Sequence, residues 1–198
     1  VLGIRPLLWK NGWPVAGEVF KEGTYEIESE RRGYALELAV DFVRMEYTRH
    51  RFWEKDDTPV VPLKSQTLED VIGTWPQGKI NVRIGDYMFR PHQKWTITAV
   101  PDGGGYLGGP YYKIVIEGTN RALAATADAE VVTVPEFTGS PEQLWRIDQL
   151  TDGTYRIMPK EVPGTDKELV LVSVGDSTPS LGEFDMNSDN SKWNFRDH

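Results

Sequence analysis

The chain has 198 residues, 39% of them hydrophobic and 26% charged, enough for one sizeable domain or two small ones with a self-sufficient core. A formal net charge of −8 with no basic stripe disfavours nucleic acid as a partner. Cysteine is absent, which excludes disulfides and thiolate metal sites, and no apolar run approaches the roughly 20 residues of a membrane-spanning helix.

In chain order, residues 4–18, IRPLLWKNGWPVAGE, read as strand, turn and strand with two tryptophans to pack. The chain opens without Met or a signal peptide, so it reads as a piece of a longer protein. Strand-sized runs follow with alternating or β-branched apolar residues: TYEIES, ALELAV, KINVRI, KWTITAV, YYKIVIE, EVVTVPEF, LWRIDQL, TYRIMP and ELVLVSV. Turn chemistry separates them in PDGGG, EGTN, TDG, PGTD and VGDS. Only SQTLEDVI predicts a helix, a short one capped by Ser65 or Thr67. Short strands at close spacing without intervening helices predict an all-β sandwich or barrel.

A repeat runs through these strands. Gln-x-Trp occurs as Gln93-Lys94-Trp95 and Gln143-Leu144-Trp145, with a degraded copy at Ser191-Lys192-Trp193. The tryptophans are 50 and 48 residues apart, and each is preceded by a Tyr-x-Ile strand beginning at Tyr25, Tyr112 or Tyr155. The units span about 22–100, 105–150 and 151–198. The first is longer by roughly 35 residues, an insertion placed between residues 46 and 80, and surface loops tolerate such length because closure entropy grows slowly. One four-strand unit cannot bury its own apolar face, so three are expected to close into a barrel capped by hairpins. Trp95, Trp145 and Trp193 are then core residues, and the glutamines hold loop backbone against the barrel. An open alternative makes residues 18–100 a separate small barrel.

Three Gln-x-Trp units resemble the ricin B-type lectins, the β-trefoil sugar-binding modules, over about residues 22–198. The resemblance implies shallow surface pockets for galactose-like or pentose sugars, up to one per unit. Each would combine an acid on the second strand, an aromatic platform on the next hairpin and a polar residue near Gln-x-Trp. Carried over, the acid is Glu37 in the first unit, while the second and third offer Ala124 and Leu171. The platform is Phe137 in the second unit and Phe184, beside Asp185, in the third. Gln93, Gln143 and Asn190 complete the candidate carbohydrate contacts, and no unit holds the full set. Trp53 and Trp75, inside the insertion, are read as cover over the barrel end rather than as a platform.

The leader carries a second resemblance. Arg5, Pro6, Leu7, Trp9, Gly12, Trp13, Pro14 and Val15 resemble the closing strand of the catalytic propeller in glycoside hydrolase family 43, particularly its arabinan-degrading members. The implied layout is a propeller tail at 1–18 and a trefoil at 19–198. Catalysis within this chain is not expected. Its acids cluster in turns such as EKDD and NSDN, and His50, His92 and His198 fall in no triad or metal spacing. Asp185, Asn187 and Asp189 alternate as in calcium loops, but Asn190 stands where glycine is needed and Arg196 where the closing acid belongs. PDGGGYLGGP lacks the lysine and helix of a phosphate loop.

The expectation is therefore a non-catalytic carbohydrate-binding module of an exported bacterial glycosidase acting on arabinan or a related hemicellulose. Its partners would be a polysaccharide or oligosaccharide and its own N-terminal catalytic domain, with no cofactor or metal. The rival is an accessory domain that packs on the catalytic domain without binding sugar.

Overall fold

The structure, a computed structural model, describes residues 7–10, 12–16, 19–30, 34–40, 67–105, 109–175 and 177–197. Arg5, Pro6, Ser65, Trp53, His50 and His198 lie outside the described residues. A leading hairpin pairs β1 (Leu7–Lys10) with β2 (Trp13–Ala16), as the leader predicts, and Gly12 at φ 80° makes its turn.

The remaining strands are β3 (Gly23–Ser29), β4 (Tyr34–Leu38), β5 (Ile80–Asp86), β6 (Trp95–Val100), β7 (Tyr111–Ile116), β8 (Ala122–Ala125) and β9 (Val131–Val134). After them come β10 (Trp145–Gln149), β11 (Tyr155–Pro159), β12 (Val170–Val174), β13 (Thr178–Gly182) and β14 (Trp193–Asp197). Six of these close a ring in the order β3, β6, β7, β10, β11, β14, with β14 returning to β3. Hairpins β4–β5, β8–β9 and β12–β13 cover one end. They join one another through Ile80 opposite Thr133, Glu130 opposite Ser180, and the Ile84 amide donating to Ser177 O at 2.9 Å. This is a β-trefoil. The separate-barrel alternative for residues 18–100 is overturned, because β3 pairs β14 as well as β6.

The threefold repeat is written into the register. Tyr25 lies opposite Trp95, Tyr112 opposite Trp145 and Tyr155 opposite Trp193. All three tryptophans are fully buried. Each indole N–H donates to the carbonyl of a second-strand leucine: Leu36 at 2.8 Å, Leu123 at 2.9 Å and Leu171 at 2.8 Å. A buried indole needs such an acceptor, so the bond ties every hairpin to its barrel strand. Donor and acceptor are 59 residues apart in the first unit and 22 in the others, which measures the insertion at 37.

The barrel interior is lined by Ile27, Ile97, Ile114, Ile147 and Ile157. Its far end is stopped by Phe20, whose ring centroid lies 5.2, 6.0 and 5.5 Å from those of Tyr25, Tyr112 and Tyr155. Phe20 thus sits where the three repeat tyrosines converge, and Tyr112 Oη accepts its amide at 2.7 Å. The predicted helix is α1 (Leu68–Ile72), with Thr67 as its cap and Asp70 completing a capping box. Leu68 and Ile72 lie over the β7–β8 turn at Gly118, whose φ of 74° suits glycine. Trp75 is buried in the same core, as cover, and Arg121 clamps the loop after it through Gly78 O at 2.7 Å and Pro76 O at 2.8 Å. Among the described residues no helix is long and apolar enough to cross a membrane.

Candidate functional site

Each unit ends its third strand in a loop that returns through a short 3₁₀ turn to the Gln-x-Trp strand. The motif glutamine shapes that loop. Gln93 Oε1 accepts the Met88 amide at 2.9 Å, and Gln143 Oε1 accepts the Thr138 amide at 2.7 Å. In the third unit Ser191 is too short for that bond but donates to Asp185 O at 3.0 Å. Three equivalent corners result, each carrying an aromatic ring under a cation. Arg196 lies 4.5 Å from the Tyr87 centroid, Lys113 5.4 Å from Phe137 and Arg156 5.0 Å from Phe184.

The first corner is the most elaborate. Glu37 projects from β4 beneath it and is closed to solvent. Its carboxylate accepts from Arg83 Nε at 2.6 Å and Gln93 Nε2 at 2.7 Å, and His92 Nε2 lies 3.2 Å from Oε2. Burial alone would push its pKa up, but the hydrogen bonds from His92, Arg83 and Gln93 prevail and hold it below the ordinary carboxylate value. Gln93 Nε2 also reaches Asp86 O at 2.7 Å, so every polar atom of that side chain is engaged. The node needs Gly85: a Cβ there would come within 2.6 Å of Glu37 Oε1. Above it, Phe89 is 62% exposed and adopts φ 55°, an unusual conformation for a bulky residue. Its ring meets Tyr87 edge-on at 4.4 Å.

The second-strand acids are thus placed differently from what the resemblance implies. Glu37 faces inward and positions Gln93 rather than opening to a surface pocket. Ala124 holds the equivalent position in the second unit, and in the third it is Val172, not Leu171, since Leu171 is the indole acceptor matching Leu36 and Leu123. Phe137 is half-buried next to Thr138, and so next to the atoms Gln143 holds. Phe184 is half-buried and Asp185 exposed. Asp185 Oδ1 accepts the Asn187 amide at 2.9 Å, and the Asn190 carbonyl accepts from Ser173 Oγ at 3.3 Å. The structure therefore joins Glu37 to Gln93, Phe137 to the loop of Gln143, and Phe184, Asp185 and Asn190 along one loop. Asp189 lies 3.8 Å from Lys192.

The sequence reading missed Tyr87, Phe89 and the three cations. Lys113 and Arg156 follow directly after the repeat tyrosines, a signal available from the alignment of units. The first unit has Glu26 there, fully buried, and Arg196 from the neighbouring strand opposite it supplies the missing cation.

The folds of known proteins agree. Residues 91–179 match the model of the ricin-type beta-trefoil lectin domain-like family. That stretch begins at the first 3₁₀ turn and includes both intact Gln-x-Trp motifs. No curated protein matches the sequence. Among solved structures, the chain is similar to a mosquitocidal holotoxin at 14% identity and a TM-score of 0.60, over 90% of this chain and 18% of that one. The designed 3-fold symmetric protein ThreeFoil aligns at 19% identity and a TM-score of 0.56, over 88% of this chain and 99% of its own. Polyporus squamosus lectin, solved with a human-type influenza-binding epitope, aligns at 16% identity and a TM-score of 0.57, over 90% and 50%. These likenesses establish the trefoil, and the chain spans under a fifth of the holotoxin's length.

Proposed function

We propose that this chain is a non-catalytic carbohydrate-binding module. The observation that carries this reading is the lectin-domain-like match over residues 91–179, on a trefoil whose corners each hold a surface loop with an aromatic ring beside a cation. Sugar rings present apolar faces to aromatics and hydroxyls to charged and amide groups, and these loops supply both. The leader's resemblance to the end of a family 43 propeller supports attachment to an exported glycosidase that acts on arabinan or a related hemicellulose. There the module keeps its enzyme near substrate through weak contacts that tethering makes effective. Affinity gel electrophoresis of the chain through arabinan, xylan and galactan tests this. Retardation by at least one polymer is expected, and free migration through all three overturns it.

One observation favours an accessory role instead: the second-strand position of each unit offers no open acid, being the enclosed Glu37, Ala124 or Val172. That reading predicts free migration in every gel and a lower unfolding temperature of the parent enzyme when the module is removed.

A further inference from the structure

A cleft of about 470 Å³, lined by none of the corner aromatics or motif glutamines, lies where the β11–β12 loop of the third unit meets the start of the second unit's first strand. Its volume is within the roughly 300–1,000 Å³ range of small-ligand sites. Its lining includes the apolar Met158, Pro159 and Val162 together with Tyr111 and Arg146. Its polar groups are pre-set. Arg146 forks onto Asp148, with Nε at 2.8 Å and Nη2 at 2.7 Å, and Arg156 reaches the same carboxylate at 2.7 Å. Lys160 lies 5.2 Å from the Tyr111 centroid, and its Nζ donates to Gly103 O at 2.6 Å. Groups already held in place lose little freedom when a ligand arrives.

The charge pattern selects the ligand. Glu161, Asp166 and Glu168 are exposed carboxylates on the rim and repel phosphate or sulfate groups. Arg146, Lys160 and Lys167 also line the cleft and oppose a cationic peptide. An apolar ligand would displace water from these charged groups without offering them a hydrogen bond. A neutral polyol satisfies both signs, since each hydroxyl donates to a carboxylate and accepts from an ammonium or guanidinium. Burial is the main influence raising the Tyr111 pKa, Arg146 lowers it, and Glu168 and Asp148 raise it, so the phenol stays protonated and adds a donor.

From the cleft's size, its lining tyrosine and its balanced charges, we infer that it binds a neutral oligosaccharide of two or three residues. The inference rests on the carbohydrate reading above and locates a site outside the Gln-x-Trp corners. Amide chemical shifts of the 198-residue chain, titrated separately with arabinotriose, xylotriose and galactotriose, test it. The largest changes are expected at Tyr111, Arg146 and residues 160–168, and Tyr111→Ala and Glu168→Gln are each expected to weaken binding at least tenfold. Changes confined to residues 87–90, 137 and 184, or full affinity in both variants, overturn the cleft while leaving the carbohydrate reading intact. No change anywhere with any of the three sugars overturns both.

Discussion

Glu37 and Glu26 are both buried carboxylates, and their surroundings push them in opposite directions. Glu37 is held below its ordinary value, so its contribution to stability is present above the unfolded pKa and fades as pH falls through the folded one. Glu26 is pushed up to about 7 from 4.5, chiefly by burial and then by Glu28, with Arg196 and Lys94 opposing. Folding therefore favours its protonated form, and stability is lost as pH rises from 4.5 towards about 7. Glu26→Gln is expected to raise the unfolding temperature at pH 8 and to leave it nearly unchanged at pH 4, as thermal melts would show. Glu37→Gln is expected to lower it at pH 7, by a margin that narrows as the buffer becomes more acidic. At the tryptophans the relevant loss is one donor. Trp193→Phe leaves Leu171 O without its indole partner and should cost about 1–3 kcal/mol in urea unfolding. Glu37 stood out in the sequence as an acid on the second strand, but its inward direction did not, because Arg83 and His92 lie far away in the chain and only the fold brings them together.

The hairpin β4–β5 and the Gln93 loop behave as one element because a single carboxylate links them. Ala35 lies opposite Gly85 and Glu37 opposite Arg83, so the strand pairing delivers the carboxylate into the space a side chain at 85 would fill. Gly85→Ala must expel it, which leaves buried donors unpaired and should cost on the order of 1–3 kcal/mol. The same change in a Glu37→Ala background is expected to cost markedly less, a coupling measurable by a double-mutant cycle. Strands were legible where β-branched and aromatic residues run together, as in β7 and β9. The third hairpin's return strand β13 was not, since its sequence TPSLG carries a proline and small residues that mimic a turn. The α1 helix could be read from its cap alone, because Thr67 and Asp70 form a local pair that needs no distant partner.

At the scale of the whole molecule, the tryptophan spacing was enough to predict three lobes and a closed barrel, since closure is what buries three identical faces. What spacing could not convey is the stopper. Phe20 belongs to no repeat, and it contacts Tyr155 and Phe195 from more than a hundred residues away in the chain. Phe20→Ala is expected to destabilise the fold by about 3–5 kcal/mol, readable as a lower denaturant midpoint. The cleft by Tyr111 was equally hidden, as its residues come from β7, β10, the end of β11 and the β11–β12 loop.

Phe20 also bears on where the trefoil begins. The cork of the bottle is moulded from the residues just ahead of the first lobe, so the lobes do not contain everything they need to stay shut. A shortened protein starting at Glu22, where the first repeat begins, keeps every strand of the ring and loses its closure. The trefoil's own boundary therefore falls before Phe20, and a change at that position is felt at the bottom of the barrel.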